Sequence, residues 1–246
     1  MNHFLIRSAL AAAALIYGTA ASAVTLDFES FDTTIAPSAP LLRDGDYLIQ
    51  DGYFINTQAL VAGSSSIVAE LSTSAASGSC LGSACPTGDG TRFLTVSDEG
   101  ILHVGKMDDS SVSFDSIIAA AIPSTETPTG STVYLVIEAD RDDGSYGSFA
   151  YALSGTGNFE RITSATTSTW LAGTGTLTSG SVTDLYFYSY ACDAGRCEFL
   201  DSGLALDDIR LDEAPAPSAV PEASSWLLMP AGIGVISLIG RRRCRA

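Results

Sequence analysis

Residues 131–153, STVYLVIEADRDDGSYGSFAYAL, alternate apolar and polar side chains from Val133 to Ala139 and then reach a turn at Asp143-Gly144. Successive side chains of a strand point to opposite faces, so this stretch predicts one buried face and one exposed face. The Asp-Gly pair favours a tight turn between antiparallel strands. Between residues 24 and 211, no segment repeats its apolar residues at the helical spacing of about 3.6. The body of the chain is therefore predicted to be all-β.

Seven other segments carry strand signals, and short turns rich in Gly, Ser, Thr and acidic residues separate them. Many short strands at this spacing are typical of a sandwich or barrel. We expect about eight to ten antiparallel strands in one domain over residues 24–213. The seven segments are 24–29, 51–55, 92–96, 101–104, 111–117, 182–190 and 204–211.

The first residues of the sequence have the features of a secretory signal peptide. His3 and Arg7 precede the apolar run 9–17, and the small residues 18–23 form a cleavage site of the A-x-A type. We expect residues 1–23 to be removed after Ala23 on export. A buried helix is the alternative interpretation of this segment.

The charge of the chain limits its partners. Twelve basic and twenty-eight acidic side chains give a net charge of -16, and residues 24–220 hold seven of the basic and twenty-seven of the acidic ones. Such a body repels phosphate backbones and anionic lipid surfaces, whereas divalent cations and neutral sugars are acceptable partners. We therefore expect no nucleic-acid partner.

Catalytic motifs are absent from the sequence. It contains no G-x-S-x-G, no H-E-x-x-H and no phosphate-binding glycine loop. Within residues 24–220, His103 is the single side chain with an ordinary pKa near neutrality, and a histidine alone in an apolar strand is typical of a surface or packed residue. No catalytic residue is predicted. The enzymatic alternative is a secreted glycan hydrolase or lyase that uses paired carboxylates.

Two cysteine pairs share the same short spacing, Cys80 with Cys85 and Cys192 with Cys197. Export into an oxidising compartment favours disulfides, and the equal local intervals favour pairing within each interval. The alternatives are the two other pairings and a four-cysteine zinc site, for which the spacing is unusual.

The last residues combine a linker with a targeting signal. Residues 214–220 are rich in proline and alanine, as in an extended linker. Val220-Pro221-Glu222 follows, then the apolar run 226–240, and then an arginine cluster that includes Arg241, Arg242 and Arg243. As a helix, the apolar run would rise about 1.5 Å per residue and fall short of a hydrocarbon core of about 30 Å.

These features, together with the signal peptide, resemble the PEP-CTERM family of exported bacterial proteins. The resemblance implies that residues 221–246 are a sorting signal for an exosortase, with Pro221 and Glu222 as recognition residues and Arg241, Arg242 and Arg243 retained on the cytoplasmic side. It further implies transient contact with the inner membrane, and delivery to the cell surface, outer membrane or extracellular matrix of a Gram-negative bacterium. Ala223 departs from the family, which usually has a second proline there. An ordinary single-span anchor is the alternative.

The body also resembles jelly-roll sandwiches of the kind found among carbohydrate-binding modules, through the central hairpin and the segments 26–29, 113–116 and 206–211. The resemblance implies that the first and last strands lie close together and that an acidic cluster there holds a structural Ca²⁺, which accepts about six to eight oxygen ligands. The implied ligands are Asp27, Glu29, Asp207 and Asp208. The alternative is four solvated carboxylates in an acidic chain.

Four aromatic residues are candidates for a sugar-binding surface, Trp170, Tyr186, Tyr188 and Tyr190. The three tyrosines share one strand face, and aromatic rings stack on the apolar faces of sugars. The alternative is that the tyrosines cover a sandwich surface or pack under a loop. The leading hypothesis is a non-catalytic binding or structural sandwich whose ligand is extracellular polysaccharide, with an inert matrix protein as a further alternative.

Overall fold

The computed structural model describes an all-β body and no helix among the residues it covers. The signal peptide prediction and the sorting residues 220–246 lie outside the described residues. The described residues are 23–30, 40–60, 66–73, 80–81, 85–87, 91–97, 99–123, 127, 129–154, 157–173, 176–178, 182–193, 196–198 and 202–213.

Fifteen strands are present in the described part of the chain, more than the eight to ten expected. In chain order they are β1 (Val24–Leu26), β2 (Leu41–Arg43), β3 (Tyr47–Gln50), β4 (Tyr53–Ala59), β5 (Ile67–Thr73), β6 (Arg92–Val96), β7 (Gly100–Lys106), β8 (Val112–Pro123), β9 (Thr132–Arg141), β10 (Tyr146–Ala152), β11 (Glu160–Thr163), β12 (Thr169–Gly173), β13 (Val182–Asp193), β14 (Arg196–Glu198) and β15 (Ser202–Glu213).

The strands form two antiparallel layers. Sheet A has the order β12-β10-β9-β13-β7-β4-β3, with β14 paired to the end of β13. Sheet B has the order β11-β8-β15-β6-β5-β2, and β1 pairs with β15 beside β6. Among the strands that the structure describes, a single residue pair, Val182 with Val112, links the two layers. This arrangement confirms an all-β, sandwich-like fold.

The core lies between the two layers and follows the alternation seen in the sequence. In β9 and β13, every second side chain is buried against sheet B, and Leu185 and Phe187 are fully buried. The predicted hairpin is confirmed, with β10 beginning earlier than expected, at Tyr146, and Gly144 adopting the positive φ that its turn requires. Residues that contribute to the same core from both layers include Leu135, Ile137, Phe114, Leu206 and Leu211.

The first and last strands are neighbours, as the jelly-roll resemblance implies. Leu26 of β1 lies opposite Ile209 of β15. The register of β15 against β8 shifts between Asp207 and Arg210, and Asp208 within this irregularity has a φ of 47°. A β-bulge of this kind redirects side chains locally. It places Asp207 and Asp208 beside the chain that follows β1.

Both predicted disulfides are confirmed, Cys80–Cys85 and Cys192–Cys197, which rules out the four-cysteine zinc site. Cys192 and Cys197 lie directly opposite one another in the β13–β14 pair. Cys80 belongs to a second apolar cluster with Phe93, Ala120, Ile122 and Ala205, against which Phe159 packs. This cluster lies on the side of sheet B that faces away from the core.

Candidate functional site

The outer face of sheet A carries a row of polar and aromatic side chains on β13, namely Asp184, Tyr186, Tyr188 and Tyr190. They point away from the core because the intervening Leu185 and Phe187 point into it. The strand register adds cross-strand neighbours to this row: Tyr186 lies opposite His103 of β7 and Glu138 of β9, Asp184 lies opposite Asp140, and Tyr190 lies opposite Tyr134.

His103 is held by contacts on both ring nitrogens and on its ring face. Its Nε2 lies 2.7 Å from Oδ1 of Asp184, and its Nδ1 lies 3.3 Å from Nε2 of Gln58. The amide nitrogen of Gln58 can only donate, so Nδ1 accepts from it and Nε2–H donates to the carboxylate. The imidazole stacks on Tyr186 with ring centroids 4.4 Å apart, and Phe54 contacts it edge-on at 4.9 Å. The strand histidine is thus a fixed part of this face.

Gly105 makes room for that arrangement. A Cβ at this position would lie 2.6 Å from the ring of Phe54 and 3.1 Å from Oδ1 of Asp184. The missing side chain therefore lets the Phe54 ring lie across β7 and reach His103.

Glu138 connects the middle of the face. Its Oε2 accepts hydrogen bonds from the hydroxyl of Ser148 at 2.5 Å and from the phenol of Tyr188 at 3.3 Å. Partial burial, and then the charge of Glu138, raise the pKa of Tyr188 to about 12. Burial and the nearby carboxylates likewise raise the pKa of Tyr186 to about 12. Both phenols consequently stay protonated and can donate hydrogen bonds at physiological pH.

Three carboxylates gather at one end of the face. Asp140 and Asp184 are cross-strand partners, and Glu138 is two residues from Asp140 on the same side of β9. Loss of solvent contact, followed by repulsion from Glu138 and Asp184, raises the pKa of Asp140 above its ordinary value. Like charges directly opposite one another destabilise a sheet, so this end of the face carries an electrostatic cost.

The aromatic candidates do not play equal roles. Tyr190 is only 9% exposed; it stacks on Tyr134 with centroids 5.6 Å apart and packs with Val136 and Ala150. Its ring therefore packs against its neighbours and offers little open surface to a ligand. Tyr186 and Tyr188 are half-buried. The backbone of Trp170 lies opposite Phe149 at the edge of the same sheet, and its side chain lies outside the described part of the structure.

Sequence reasoning did not assign five polar residues of the face to a site, namely Gln58, His103, Glu138, Asp140 and Asp184. The signal was present in the strand alternation: positions 101–104 and 133–139 fix which residues point away from the core. Which of these residues lie next to one another depends on the register of β4, β7, β9 and β13.

The four acidic residues expected to bind calcium line one cavity of about 530 Å³. The cavity lies at the bulge of β15, and its wall is completed by Thr87, Thr91, Ile118, Asn158 and Phe159. The proximity implied by the resemblance is therefore present in the structure.

Three of these carboxylates already accept hydrogen bonds from other groups of the protein. Oδ1 of Asp27 accepts from Nε2 of Gln50 at 2.6 Å, and Oε1 of Glu29 accepts from the backbone N–H of Arg92 at 2.6 Å. Asp207, which is 8% exposed, accepts from the hydroxyl of Thr91 at 3.2 Å and from the N–H of Asp208 at 2.8 Å. Among the described residues, no three His, Cys, Asp or Glu side chains converge closely enough to hold a metal. The donor chemistry suits Ca²⁺, but binding would require the carboxylates to move closer together.

Helices long and apolar enough to cross a bilayer are not found within the part of the chain that the structure covers. No protein-family model matches the sequence, and no curated protein matches it significantly.

Two larger proteins of known structure are similar to part of the chain. The agarase AgWH50C aligns at 12% identity over 65% of this chain and 25% of its own, with a TM-score of 0.32. A Clostridium thermocellum xylanase 10B structure, containing CBM22-1 and GH10 modules with xylohexaose, aligns at 12% identity over 77% of this chain and 28% of its own, with a TM-score of 0.36. The chain thus spans about a quarter of the length of either protein.

The raised phenol pKa values predict a loss of stability at high pH. Between pH 10 and 12 the native state keeps protons on Tyr186 and Tyr188 that the unfolded chain has released, so the free energy of unfolding falls as the pH rises. We expect Tyr186→Phe and Tyr188→Phe each to make this fall less steep. Urea unfolding at several pH values measures it, with about pH 8 as the reference at which ordinary phenols are protonated. An unchanged slope in both variants would contradict the assignment.

Proposed function

We propose that residues 24–213 form a non-catalytic glycan-binding β-sandwich and that the outer face of sheet A is its ligand surface. The observation that carries this proposal is the fixed network of His103, Tyr186, Glu138 and Tyr188 on rigid strands. A half-buried polar network on the outside of a sheet contributes little to the core, yet it orients donors and acceptors towards solvent. Preorganised groups of this kind lower the cost of binding a polar ligand.

The chemistry of the face fits a sugar chain. Sugars offer hydroxyl groups and apolar C–H surfaces, and the face offers carboxylates, a carboxamide and phenols beside aromatic rings. From Asp184 to Tyr188 the strand rises about 3.3 Å per residue, which gives an open surface about 13 Å long. An extended oligosaccharide fits that length better than a single sugar.

A glycan hydrolase or lyase is the second candidate, and one observation favours it. Asp140 has a raised pKa beside Glu138 and Asp184. Carboxylate groups whose environments separate their pKa values are the usual acid and base of glycoside hydrolysis. The binding experiment below therefore includes an assay for products.

We expect the purified protein to bind at least one member of a panel of soluble polysaccharides saturably and without forming product. Tyr186→Ala should weaken that binding about tenfold, or roughly 1.4 kcal/mol, because it removes the ring that His103 and its neighbours hold in place. Isothermal titration calorimetry measures the affinity, and an assay for reducing ends and unsaturated products measures turnover.

Met107→Ala is the control, because Met107 is 55% exposed and lies in the turn after β7, away from the face. Turnover would favour the enzyme over the binding protein. Absence of saturable binding to every member of the panel would reject both glycan proposals.

We further propose that the acidic cavity at the β15 bulge binds a structural Ca²⁺ through Asp27, Glu29, Asp207 and Asp208. Support comes from their shared cavity and from the oxygen donors that Ca²⁺ prefers. A bound cation would also offset the repulsion among carboxylates contributed by the first and last strands.

Calcium should therefore raise the melting temperature of protein that has been treated with a chelator. Free Ca²⁺ at about one hundred times its dissociation constant would stabilise the native state by about 2.7 kcal/mol. Differential scanning calorimetry measures this shift, and Asp208→Asn should reduce it, whereas Asp142→Asn in the exposed β9–β10 turn should not. If calcium leaves the melting temperature of the original protein unchanged, the site does not exist.

For localisation, we propose that residues 221–246 sort the exported protein to the surface of a Gram-negative cell through an exosortase-type enzyme. The support is the order of the Pro-Glu motif, the short apolar run and the arginine cluster. An apolar run shorter than a typical membrane span suits temporary rather than permanent residence in the bilayer.

In a host with the sorting enzyme, we expect the surface form to lack the segment after the Pro-Glu motif. Replacing Pro221 and Glu222 by alanine should leave the intact chain in the inner membrane, whereas Ala223→Pro, which restores the residue usual in the family, should be processed normally. Cell fractionation and mass spectrometry of the terminal peptide distinguish these results. Finding the original chain uncut in the inner membrane would instead support a permanent anchor.

A further inference from the structure

The charges on the outer face of sheet A are strongly unbalanced at one end. Asp140 and Asp184 are opposite one another, and opposing residues of antiparallel strands lie within about 5.5 Å between Cα atoms. Glu138 is the next outward-facing residue of β9 and lies opposite Tyr186. Three carboxylates therefore adjoin an aromatic ring on the surface assigned to ligand binding.

The described protein supplies little positive charge to this face. His103 is the one described side chain there that can become cationic. Arg141 alternates to the core side of β9, where it is 8% exposed and donates from Nη2 to the carbonyl of Thr176 at 2.7 Å. Lys106 lies on the core side of β7, with Nζ 5.7 Å from the ring centroid of Tyr53. The charge of Arg141 lowers the pKa of Asp140, but burial and the charges of Glu138 and Asp184 outweigh it, and that pKa is raised overall.

A ligand can supply the missing charge. Carboxylates attract an ammonium group, and the faces of tyrosine rings attract it as well through their electron density. The same carboxylates repel uronate and sulfate groups, which discriminates against anionic polysaccharides. The arrangement consequently favours one class of glycan over others that have the same hydroxyl groups.

We infer that the outer face of sheet A selects polysaccharides that bear primary ammonium groups, with such a group bound among Asp140, Asp184 and Glu138 beside Tyr186. This inference rests on the proposed glycan-binding function and specifies its ligand class. Tyr186 and Tyr188 then contact the hydroxyl groups of the sugar units on either side.

The test compares glycans that differ only in the charged group. Calorimetry at about pH 6, where ordinary carboxylates are ionised, measures binding of the full chain to a deacetylated β-1,4-glucosamine hexamer, its N-acetylated counterpart and a polygalacturonate oligomer. We expect the deacetylated hexamer to bind at least about tenfold more tightly than the acetylated one, with a preference that shrinks as salt is added. The polygalacturonate oligomer should not bind.

Matched variants distinguish an effect of the three carboxylates on the face from an effect of the overall negative charge of the body. Asp140→Asn keeps the shape of the side chain and should abolish most of the preference without changing the affinity for the acetylated hexamer. Asp142→Asn removes the same charge from the exposed turn two residues away and should leave the preference intact. Circular dichroism confirms that each variant is folded.

The outcomes distinguish this inference from the function on which it rests. Equal or tighter binding of the acetylated hexamer would overturn the inference and leave glycan binding in place. An equal loss in Asp140→Asn and Asp142→Asn would also overturn it, because attraction to the acidic body would then explain the preference. If neither hexamer nor any member of the polysaccharide panel binds, the proposed function itself fails.

Discussion

Burial of Leu185 and Phe187 against sheet B determines what the neighbouring residues of β13 can do. Both side chains are fully buried, and the two-residue period of a strand then directs Asp184, Tyr186 and Tyr188 outward. A register shift of one residue would move three polar side chains into the core. Emptying the space of a buried phenylalanine typically costs about 3–5 kcal/mol, which is a large part of the stability of a domain. The packing of the core therefore holds the outer face in its register.

The outer face of sheet A lowers the stability of the fold when no ligand is considered. Opposed carboxylates weaken strand pairing, and half-buried phenols and an imidazole must find partners to offset lost hydration. The chain meets this requirement with specific contacts, such as Gln58 and Asp184 on either side of His103. Departures from the most stable arrangement of this kind are expected at functional sites. That expectation supports the proposal that the face binds a ligand.

Local patterns in the sequence were sufficient for the elements whose partners are close along the chain. The β9–β10 hairpin and both disulfides follow from alternation, a turn dipeptide and short cysteine intervals. Six strands were not predicted: β2, β3, β5, β11, β12 and β14. All of them except β5 have three to five residues, which carry too little periodicity to distinguish a strand from a loop. Their pairing depends on neighbours that only the complete sheets provide.

The composition of the face was harder to predict for the same reason. Gln58 and His103 are 45 residues apart, and His103 and Asp184 are 81 residues apart. Alternation indicates that each points outward, but only the order β4-β7-β13-β9 makes them neighbours. The acidic cavity was easier, because a resemblance already paired the first strand with the last. The sequence could not predict which carboxylate oxygens are already hydrogen-bonded within the protein. The side chain of Gln50 and the backbone N–H of Arg92 donate to two of them, and residue types alone do not reveal such contacts.

The two candidate sites lie on different sheets, and this separation has thermodynamic consequences. Asp207 pairs with Ile118 on sheet B, on the side away from the core, whereas Tyr186 and Glu138 lie on the outer side of sheet A. No described residue lines both sites. A cation in the cavity would stabilise the whole native state, because it binds only the folded arrangement of β1 and β15. It would alter glycan affinity only if it changed the conformation of the face, since coupling between sites requires states that both ligands distinguish. The calcium-dependent change in stability therefore reports on the cavity and the glycan affinity reports on the face, so each site can be judged independently of the other.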